Sequence, residues 1–302
     1  MGETMIEGTM GERVRLAALL RAIDELPTIP ETLIKILRIL DDPQSSAQAL
    51  ADVVRLDAPL TAKILRLANS PYYCAAGNLA DVRSCIRVLG FKTVRQLAIC
   101  VSIATSLVAE CNRRRSRLDY RELWKHSVHV AVVAKELALL TRTKDPEEVF
   151  TAGLLHDLGK FVILLHAPAT YDQVISQRRA AGRPLCEVEL ELLGYDHTMA
   201  GEVFGVSWRF PAILTRPARK HHDHLLRDPQ ASREDYVVRL VALANDLANR
   251  ISPPESDLGY DYAQDVTEAL HAAAGLTTEA VNERLPKIKD ALENSRAYLE
   301  LA

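Results

Sequence analysis

Residues 147–165 read EEVFTAGLLHDLGKFVILL, and this segment is the strongest single indication of the fold class. Its apolar residues recur at the spacing of a helix, and the same pattern predicts a helix from Tyr120 to Leu140. Over the whole chain Leu and Ala dominate at such spacings, while the alternating Val, Ile and Thr runs typical of strands are scarce. The sequence therefore predicts an all-α protein, with a helical bundle in the N-terminal half packed on a second helical half.

Capping residues and helix breakers delimit the other predicted helices. Asp57 is suited to cap a helix, Ser45 with Gln48 resembles a capping box, and Gly90 is typical of a helix end. The remaining predicted helices are Val14 to Leu26, a segment from Pro30 to Leu40, a segment ending near Arg55, Ala58 to Ala68, Val82 to Leu89, Thr93 to Val108, Tyr262 to Ala274 and Thr278 to Leu299.

The same boundaries divide the chain into parts. We predict a flexible tail at residues 1–12, a domain at 13–252 with halves at 13–112 and 118–252, and a C-terminal helical extension at 255–302. The basic stretch from Arg113 to Arg117 connects the two halves, and we interpret it as a solvated linker. Pro286 is expected to kink the last helix of the extension.

Composition excludes several classes of protein. The 302 residues are 48% hydrophobic, enough for a sizeable core, and the net charge of -3 gives no global attraction to nucleic acid or anionic lipid. No apolar run reaches the roughly 18 residues that a bilayer requires, and the start of the chain is polar, so we predict a cytoplasmic protein with no membrane contact. The five cysteines form no C-x-x-C pair, which predicts reduced thiols rather than a disulfide framework.

Histidines and carboxylates are placed where they could hold a metal. Adjacent helical residues project about 100° apart, so His156 and Asp157 are able to flank one cation. Imidazole and carboxylate ligands suit Fe, Mn or Zn, and a bridging Asp157 would allow two ions, an arrangement that supports hydrolysis of phosphoesters. Lys160, one turn after His156, is placed to meet a phosphate oxygen. The candidate ligands are His126, His156, Asp157, His197, His221, His222 and Asp246.

Two family resemblances cover residues 26 to 252. His156-Asp157-Leu158-Gly159-Lys160 resembles the H-D-x-G-K signature of HD-domain phosphohydrolases, and the other candidate ligands follow that superfamily's order. The stretch from Asp57 to Ser70, with Ala80-Asp81 to Leu89-Gly90, resembles the HDOD (HD-related output domain) family of bacterial signalling proteins. The resemblance implies that residues 118–252 form an HD-type helical half.

The resemblance also implies a metal site and a choice of function. We expect one or two divalent ions, Fe or Mn in preference to Zn, with Asp157 shared between them. One ion would be held with His126, His156 and Asp246, and the second with His197, His221 and His222. HDOD proteins act chiefly as signalling output modules with protein partners, and many lack part of this ligand set, whereas this sequence matches every position.

The sequence leaves several functions open. The first is a regulatory module with a protein partner in a signalling pathway, and the alternative is a metal-dependent phosphodiesterase or nucleotidase, with a phosphoester or nucleotide ligand and with Asp157 and Lys160 as catalytic residues. No Gly-Tyr-Pro follows His221-His222-Asp223, so cyclic-di-GMP is not the expected substrate. A relic site without metal is a further alternative. DNA binding through Lys92, Arg95 and the linker is disfavoured by the acidic balance.

Overall fold

The structure is a computed structural model that describes residues 30–41, 46–73, 79–113, 119–223, 232–253 and 267–302. Every regular element within these ranges is a helix, and the predicted all-α class is confirmed. The predicted tail, the first predicted helix and the basic linker from residue 114 onward lie outside the described residues.

The N-terminal half contains six α-helices and one π-helical turn within its described ranges. They are α1 (Glu31–Asp41), α2 (Ala47–Arg55), α3 (Ala58–Ala68), α4 (Val82–Leu89), α5 (Phe91–Ile103), the π-turn (Ala104–Val108) and α6 (Ala109–Arg113). Helix α5 is buried over nearly its whole length and packs against α1, α3 and α4, so it forms the centre of this half. The segment predicted as one helix up to Val108 therefore ends in a π-turn.

Two of the predicted caps in this half are confirmed, and one is wrong by a residue. The Asp57 carboxylate accepts a hydrogen bond from Leu60 N at 3.0 Å, and Gly90, with a φ of 90°, separates α4 from α5. Helix α2 is capped by Ser46, whose Oγ accepts from Ala49 N at 3.1 Å. The expected partner Gln48 instead donates to Asp52 one turn later, which an exposed helical side chain does readily.

The second half is built around one long central helix. Its elements are α7 (Tyr120–Leu140), α8 (Pro146–Leu155), α9 (Leu158–His166), α10 (Pro168–Ala181), α11 (Leu185–Leu193), α12 (His197–Ser207), α13 (Ala212–Lys220) and α14 (Arg233–Ile251). Helix α7 has the predicted bounds and packs against α8 and α14, while α9 packs against α12. The N-terminal half joins this core where α5 contacts α8.

Residues 147–165 do not form the single continuous helix that their periodicity predicted. The chain turns at His156 and Asp157, so α8 ends and α9 begins there. Tertiary packing explains the break. The backbone at Gly159 approaches α12 so closely that a Cβ on this residue would lie 1.8 Å from the carbonyl oxygen of His197. The close approach of two backbones fixes the direction of α9 and presents His156 and Asp157 from a turn rather than from one helical face.

The C-terminal helices contact both halves. They are α15 (Thr267–Ala273), α16 (Thr278–Asn294, with Pro286 inside it) and α17 (Arg296–Leu299). The buried Tyr298 accepts a hydrogen bond at its carbonyl oxygen from the Trp124 indole at 2.9 Å, and its hydroxyl pairs with that of Tyr73. The first part of the predicted helix from Tyr262 lies outside the described residues.

Two segments have the length and apolar composition of a membrane span, although the sequence led us to expect none. They are residues 91–111 and 146–166, and 78% and 94% of their most apolar windows are buried inside the fold. Such burial is typical of core helices in a soluble domain, and the second segment is interrupted by the turn at His156.

Candidate metal centre

Five of the seven predicted ligands meet inside the second half. His126 comes from the middle of α7, His156 and Asp157 from the turn before α9, His197 from the start of α12, and His221 from the residue that follows α13. Four of these side chains are fully buried and His126 is 5% exposed. Four separate parts of the chain therefore supply polar side chains to one enclosed point, which is an arrangement that a hydrophobic core tolerates only with matched partners.

Asp157 lies at the centre of this cluster, with two imidazoles on each of its oxygens. Its Oδ2 is 3.6 Å from His126 Nε2 and 3.2 Å from His156 Nε2. Its Oδ1 is 3.5 Å from both His197 Nε2 and His221 Nε2. Two groups of three ligand atoms, each within 4.8 Å of one another, thus share this carboxylate. A carboxylate between two nitrogen pairs is the arrangement that a bridging ligand requires.

The outer nitrogens of three imidazoles are held by oxygen atoms. His156 Nδ1 is 2.7 Å from the carbonyl oxygen of Gly153, and His221 Nδ1 is 3.1 Å from that of Pro217. His197 Nδ1 is 2.7 Å from Glu189 Oε2. Carbonyl and carboxylate oxygens only accept, so each Nδ1 carries a proton, and in the neutral ring Nε2 then offers a lone pair towards Asp157. This tautomer is the one that metal-binding histidines adopt.

A cation fits this donor set. His156 Nε2 and Asp157 Oδ1 are buried and form no hydrogen bond within the described part of the chain. Buried polar atoms without a hydrogen bond are costly, and a divalent ion between imidazole nitrogens and carboxylate oxygens would satisfy them. The residues that would hold it are His126, His156 and Asp157 on one side, and Asp157, His197 and His221 on the other.

The charges in the cluster favour an ionised Asp157. Burial on its own raises the pKa of this carboxyl, but its electrostatic interactions with His156 and Lys160 outweigh burial and hold the pKa well below the usual value. Lys160 Nζ, itself fully buried, donates to Asp157 Oδ2 at 2.8 Å. The predicted phosphate-contacting lysine therefore contacts the central carboxylate in this structure.

The pKa values of two histidines of the centre shift in opposite directions. Burial lowers the pKa of His221, which favours the neutral ring that a metal needs. Burial also acts to lower the pKa of His197, but the Glu189 carboxylate outweighs it and the pKa lies well above the usual value. A cation at His197 would displace the Nε2 proton, so metal binding at this position releases a proton to solvent.

The remaining two predicted ligands are placed differently. His222 is half-buried, and its Nε2 lies 3.1 Å from His197 Nε2, the nitrogen that also faces Asp157 Oδ1, but no group of three ligand atoms among the described residues contains both His222 and Asp157. Asp246 Oδ2 accepts hydrogen bonds from Arg250 at 3.0 Å and from Thr267 at 2.8 Å. Among the described residues no group of three ligand atoms includes Asp246, since an arginine one turn later binds its carboxylate.

Sequence reasoning missed Glu189 and Cys186. Glu189, on α11, is fully buried, and its Oε2 accepts from both the backbone N and Nδ1 of His197 at 2.8 and 2.7 Å. Cys186, one turn earlier, lies 3.9 Å from the same Nδ1. Neither residue belongs to the motif, and a glutamate in the pattern Glu-Leu-Glu-Leu-Leu gives no sign that it points inwards. The residues that follow Asp223, from His224 to Pro229, lie outside the described residues.

Comparisons with known proteins place this fold in a known group. The profile of the HDOD domain matches residues 26–224. A curated relative, an uncharacterized protein of Treponema pallidum (strain Nichols), is 21% identical over 230 residues, which are 76% of this chain and 43% of the relative. This chain therefore spans less than half the length of that relative.

Solved structures show the same fold. A provisionally named phosphohydrolase from Shewanella amazonensis SB2B superposes with a TM-score of 0.73 and 24% identity, covering 94% of this chain and 98% of its own. A provisionally named signal transduction protein from Marinobacter aquaeolei VT8 superposes with a TM-score of 0.76 and 23% identity, covering 96% of this chain and 66% of its own. At such identities the likeness extends to the fold alone. The profile match over most of the chain shows that this protein belongs to the HDOD domain family.

Proposed function

We propose that this protein is a signal-transduction output module of the HDOD type whose HD-type half binds one or two divalent ions. The observation that carries the proposal is the position of Asp157, with two imidazole nitrogens within 3.6 Å of one oxygen and two within 3.5 Å of the other. A nitrogen and oxygen donor set without thiolate suits Fe or Mn better than Zn at this centre. The ions would tie together elements that are far apart in sequence.

The position of Lys160 supports regulation rather than hydrolysis. As a phosphate contact its ammonium group would have to face the substrate, but it is fully buried and donates to Asp157 Oδ2 at 2.8 Å. Moving it to a substrate would leave the buried carboxylate without one of the positive charges that hold its pKa down. A centre closed in this way is suited to hold helices in a fixed arrangement.

A metal-dependent phosphohydrolase is the second candidate, and the two-sided coordination of Asp157 favours it. A carboxylate shared by two ions is the basis of two-metal hydrolysis, in which the ions lower the pKa of a bound water and neutralise phosphate charge. Asp157 would then position both ions, and Lys160 would contact a phosphate oxygen after leaving Asp157. The sequence lacks Gly-Tyr-Pro after Asp223, so the proposed substrate is a phosphoester or nucleotide other than cyclic-di-GMP.

The proposed partner is a protein of a signalling pathway in the cytoplasm. Nucleic acid fits less well, because the basic residues considered for it are engaged in the fold. Lys92 Nζ lies 2.8 Å from Asp145 Oδ2, and Arg95, whose side chain is 12% exposed, lies 4.0 Å from the same oxygen. Arg113 pairs with Glu110. These contacts neutralise the positive face that phosphate binding would need.

One pair of measurements tests the proposal. Protein purified without chelator, and metal-stripped protein reloaded with Mn²⁺ or Fe²⁺, should contain about one or two ions per chain, because the donor set accommodates that number. Metal content should be lost in Asp157→Asn, and the loaded protein should leave a panel of phosphodiesters and nucleotides intact. A metal-free reloaded protein would refute the centre altogether.

Turnover of a phosphoester would instead favour the second candidate, a metal-dependent phosphohydrolase. If the loaded protein hydrolyses a phosphoester, Lys160→Ala decides whether the lysine takes part. Loss of turnover at unchanged metal content assigns Lys160 to the substrate, whereas unchanged turnover assigns it to Asp157 alone. Hydrolysis of cyclic-di-GMP, abolished by Asp157→Asn, would contradict the exclusion drawn from the sequence.

A further inference from the structure

A second cluster of metal-binding side chains lies beside the centre and includes a cysteine. Cys186 Sγ is 3.9 Å from His197 Nδ1, and His222 Nε2 is 3.1 Å from His197 Nε2. One ligand atom from each of the three residues lies within 4.8 Å of the other two. We call these three residues the Cys186 site. The other cysteines that the structure describes, Cys85, Cys100 and Cys111, are buried in apolar surroundings, and Cys186 alone among them is partly exposed.

A hydrogen bond joins the two imidazoles of the Cys186 site, while the sulfur is not the main partner of the ring that it faces. The Nδ1 proton of His197 is already directed to Glu189 Oε2 at 2.7 Å, so the sulfur at 3.9 Å is not its main acceptor. The two facing nitrogens of His197 and His222 are separated by 3.1 Å. A proton between them forms a hydrogen bond, and a cation that displaces this proton meets two lone pairs turned towards the same point.

The distances match those of a tetrahedral ion. Zinc binds imidazole nitrogen at about 2.0–2.1 Å and thiolate sulfur at about 2.3 Å, which places two such nitrogens about 3.3 Å apart and a nitrogen and a sulfur about 3.6 Å apart. The observed separation of 3.1 Å between the nitrogens is close to the first value. The sulfur lies within 4.8 Å of one ligand atom of each partner, and a cysteine near a helix start closes the remaining distance by rotating its side chain.

We propose that Cys186, His197 and His222 form a second cation site that takes a soft divalent ion such as Zn²⁺. One thiolate and two imidazoles fill three positions, and a water fills the fourth, since Cys186 and His222 are both partly exposed. When the ion binds, the thiol proton and the Nε2 proton of His197 both leave to solvent, so the two charges of the ion replace two protons and the net charge of the site does not change. Glu189 keeps the Nδ1 proton of His197 and orients the ring towards the ion.

The Cys186 site and the centre at Asp157 share His197 as a ligand. Nε2 of His197 holds one ion at a time, so an ion in the Cys186 site withdraws this ligand from Asp157 Oδ1, which lies 3.5 Å away. Thiolate favours soft ions, while the carboxylate favours harder ions such as Mn²⁺. Soft and hard metals therefore select different positions. The site itself does not depend on an ion at Asp157.

Cobalt titration of the metal-stripped full-length chain tests the site. Bound Co²⁺ should give a thiolate-to-metal charge-transfer band in the near ultraviolet, because sulfur is a ligand. Cys186→Ser and His222→Gln should lose the band and weaken Co²⁺ binding at this position by about tenfold or more. Cys85→Ala, which removes a cysteine far from the site, should keep it, and so should Asp157→Asn. Far-ultraviolet circular dichroism establishes that each variant is folded.

The outcomes separate this site from the proposed function. A wild-type protein that binds Co²⁺ without a charge-transfer band, or a band that survives in Cys186→Ser, overturns the Cys186 site and leaves the Asp157 centre untouched. A band that disappears in Asp157→Asn also overturns it, since the two positions would then not be independent. If Asp157→Asn keeps the band and binds as much metal elsewhere as the wild type does, the result supports the Cys186 site and counts against the metal centre at Asp157.

Discussion

Replacement of Glu189 by Gln tests how the candidate centre is held in place. The carboxylate accepts two bonds from His197, at 2.8 Å from its backbone N and 2.7 Å from Nδ1, and one from the Tyr171 hydroxyl at 2.8 Å. Gln has nearly the same shape, and its amide oxygen can still accept from Nδ1, but it lacks the negative charge that makes the His197 ring a stronger ligand. Loss of such an outer partner weakens metal binding by about 10- to 100-fold. That range corresponds to about 1.4–2.7 kcal/mol.

The assay is calorimetric titration of metal-stripped protein with Mn²⁺. Tyr171→Phe is the matched control, because it removes the hydrogen bond to the other carboxylate oxygen and leaves His197 paired with Glu189. We expect the control to change the affinity by less than about tenfold. Equal affinity of Glu189→Gln and the wild type, while Asp157→Asn abolishes binding, would refute the role given to Glu189. An equally large loss in both variants would show that the effect is one of packing.

Three further predictions follow from the same structure. Asp246→Asn should retain bound metal that Asp157→Asn loses, as measured by elemental analysis, because Arg250 and Thr267 hold the Asp246 carboxylate. Gly159→Ala should lower the free energy of unfolding by at least about 3 kcal/mol in denaturant titrations, since its Cβ meets backbone at 1.8 Å, whereas Gly182→Ala should cost about 1 kcal/mol from its left-handed backbone. Burial, with a smaller effect of Lys125, lowers the pKa of His129 from 6.5 to about 4. Between pH 6.5 and pH 4 the unfolded chain therefore binds a proton at His129, and the folded chain does not. The free energy of unfolding should thus fall by about 3 kcal/mol more in the wild type than in His129→Gln as pH drops from 7 to 4, and equal losses would contradict the assignment.

Helical periodicity and caps predicted most of the fold because both are local properties. Helix α7 has the predicted bounds, and the cap at Asp57 and the helix end at Gly90 lie where their residue types indicated. Periodicity failed at the turn of His156 and Asp157, where every neighbouring residue is apolar and a helix is locally favoured. The break arises from the contact of Gly159 with the backbone of α12, which is distant in sequence.

The candidate site was predictable only as far as its motif extends. The motif identified four imidazoles that meet at Asp157, because motif residues converge whatever the loops between them do. The expected role of Asp246 as a ligand stays a prediction, and no pattern in the sequence announces that Arg250 contacts its carboxylate. Glu189 and Cys186 escaped notice because their roles depend on the orientation of α11 relative to α12, and orientation is not encoded in residue spacing.

The geometry of the centre gives a metal a role even without catalysis. The side chains around Asp157 come from α7, the turn before α9, the start of α12 and the end of α13, and so from parts of the chain that move independently once the fold loosens. An ion bound only by the assembled cluster stabilises that arrangement by about 4 kcal/mol when its free concentration is about 1,000 times the dissociation constant. That energy exceeds the gain from a typical hydrogen bond severalfold. Occupancy of the centre would therefore favour the arrangement of helices that assembles the cluster, which is what an output module needs and what turnover does not require.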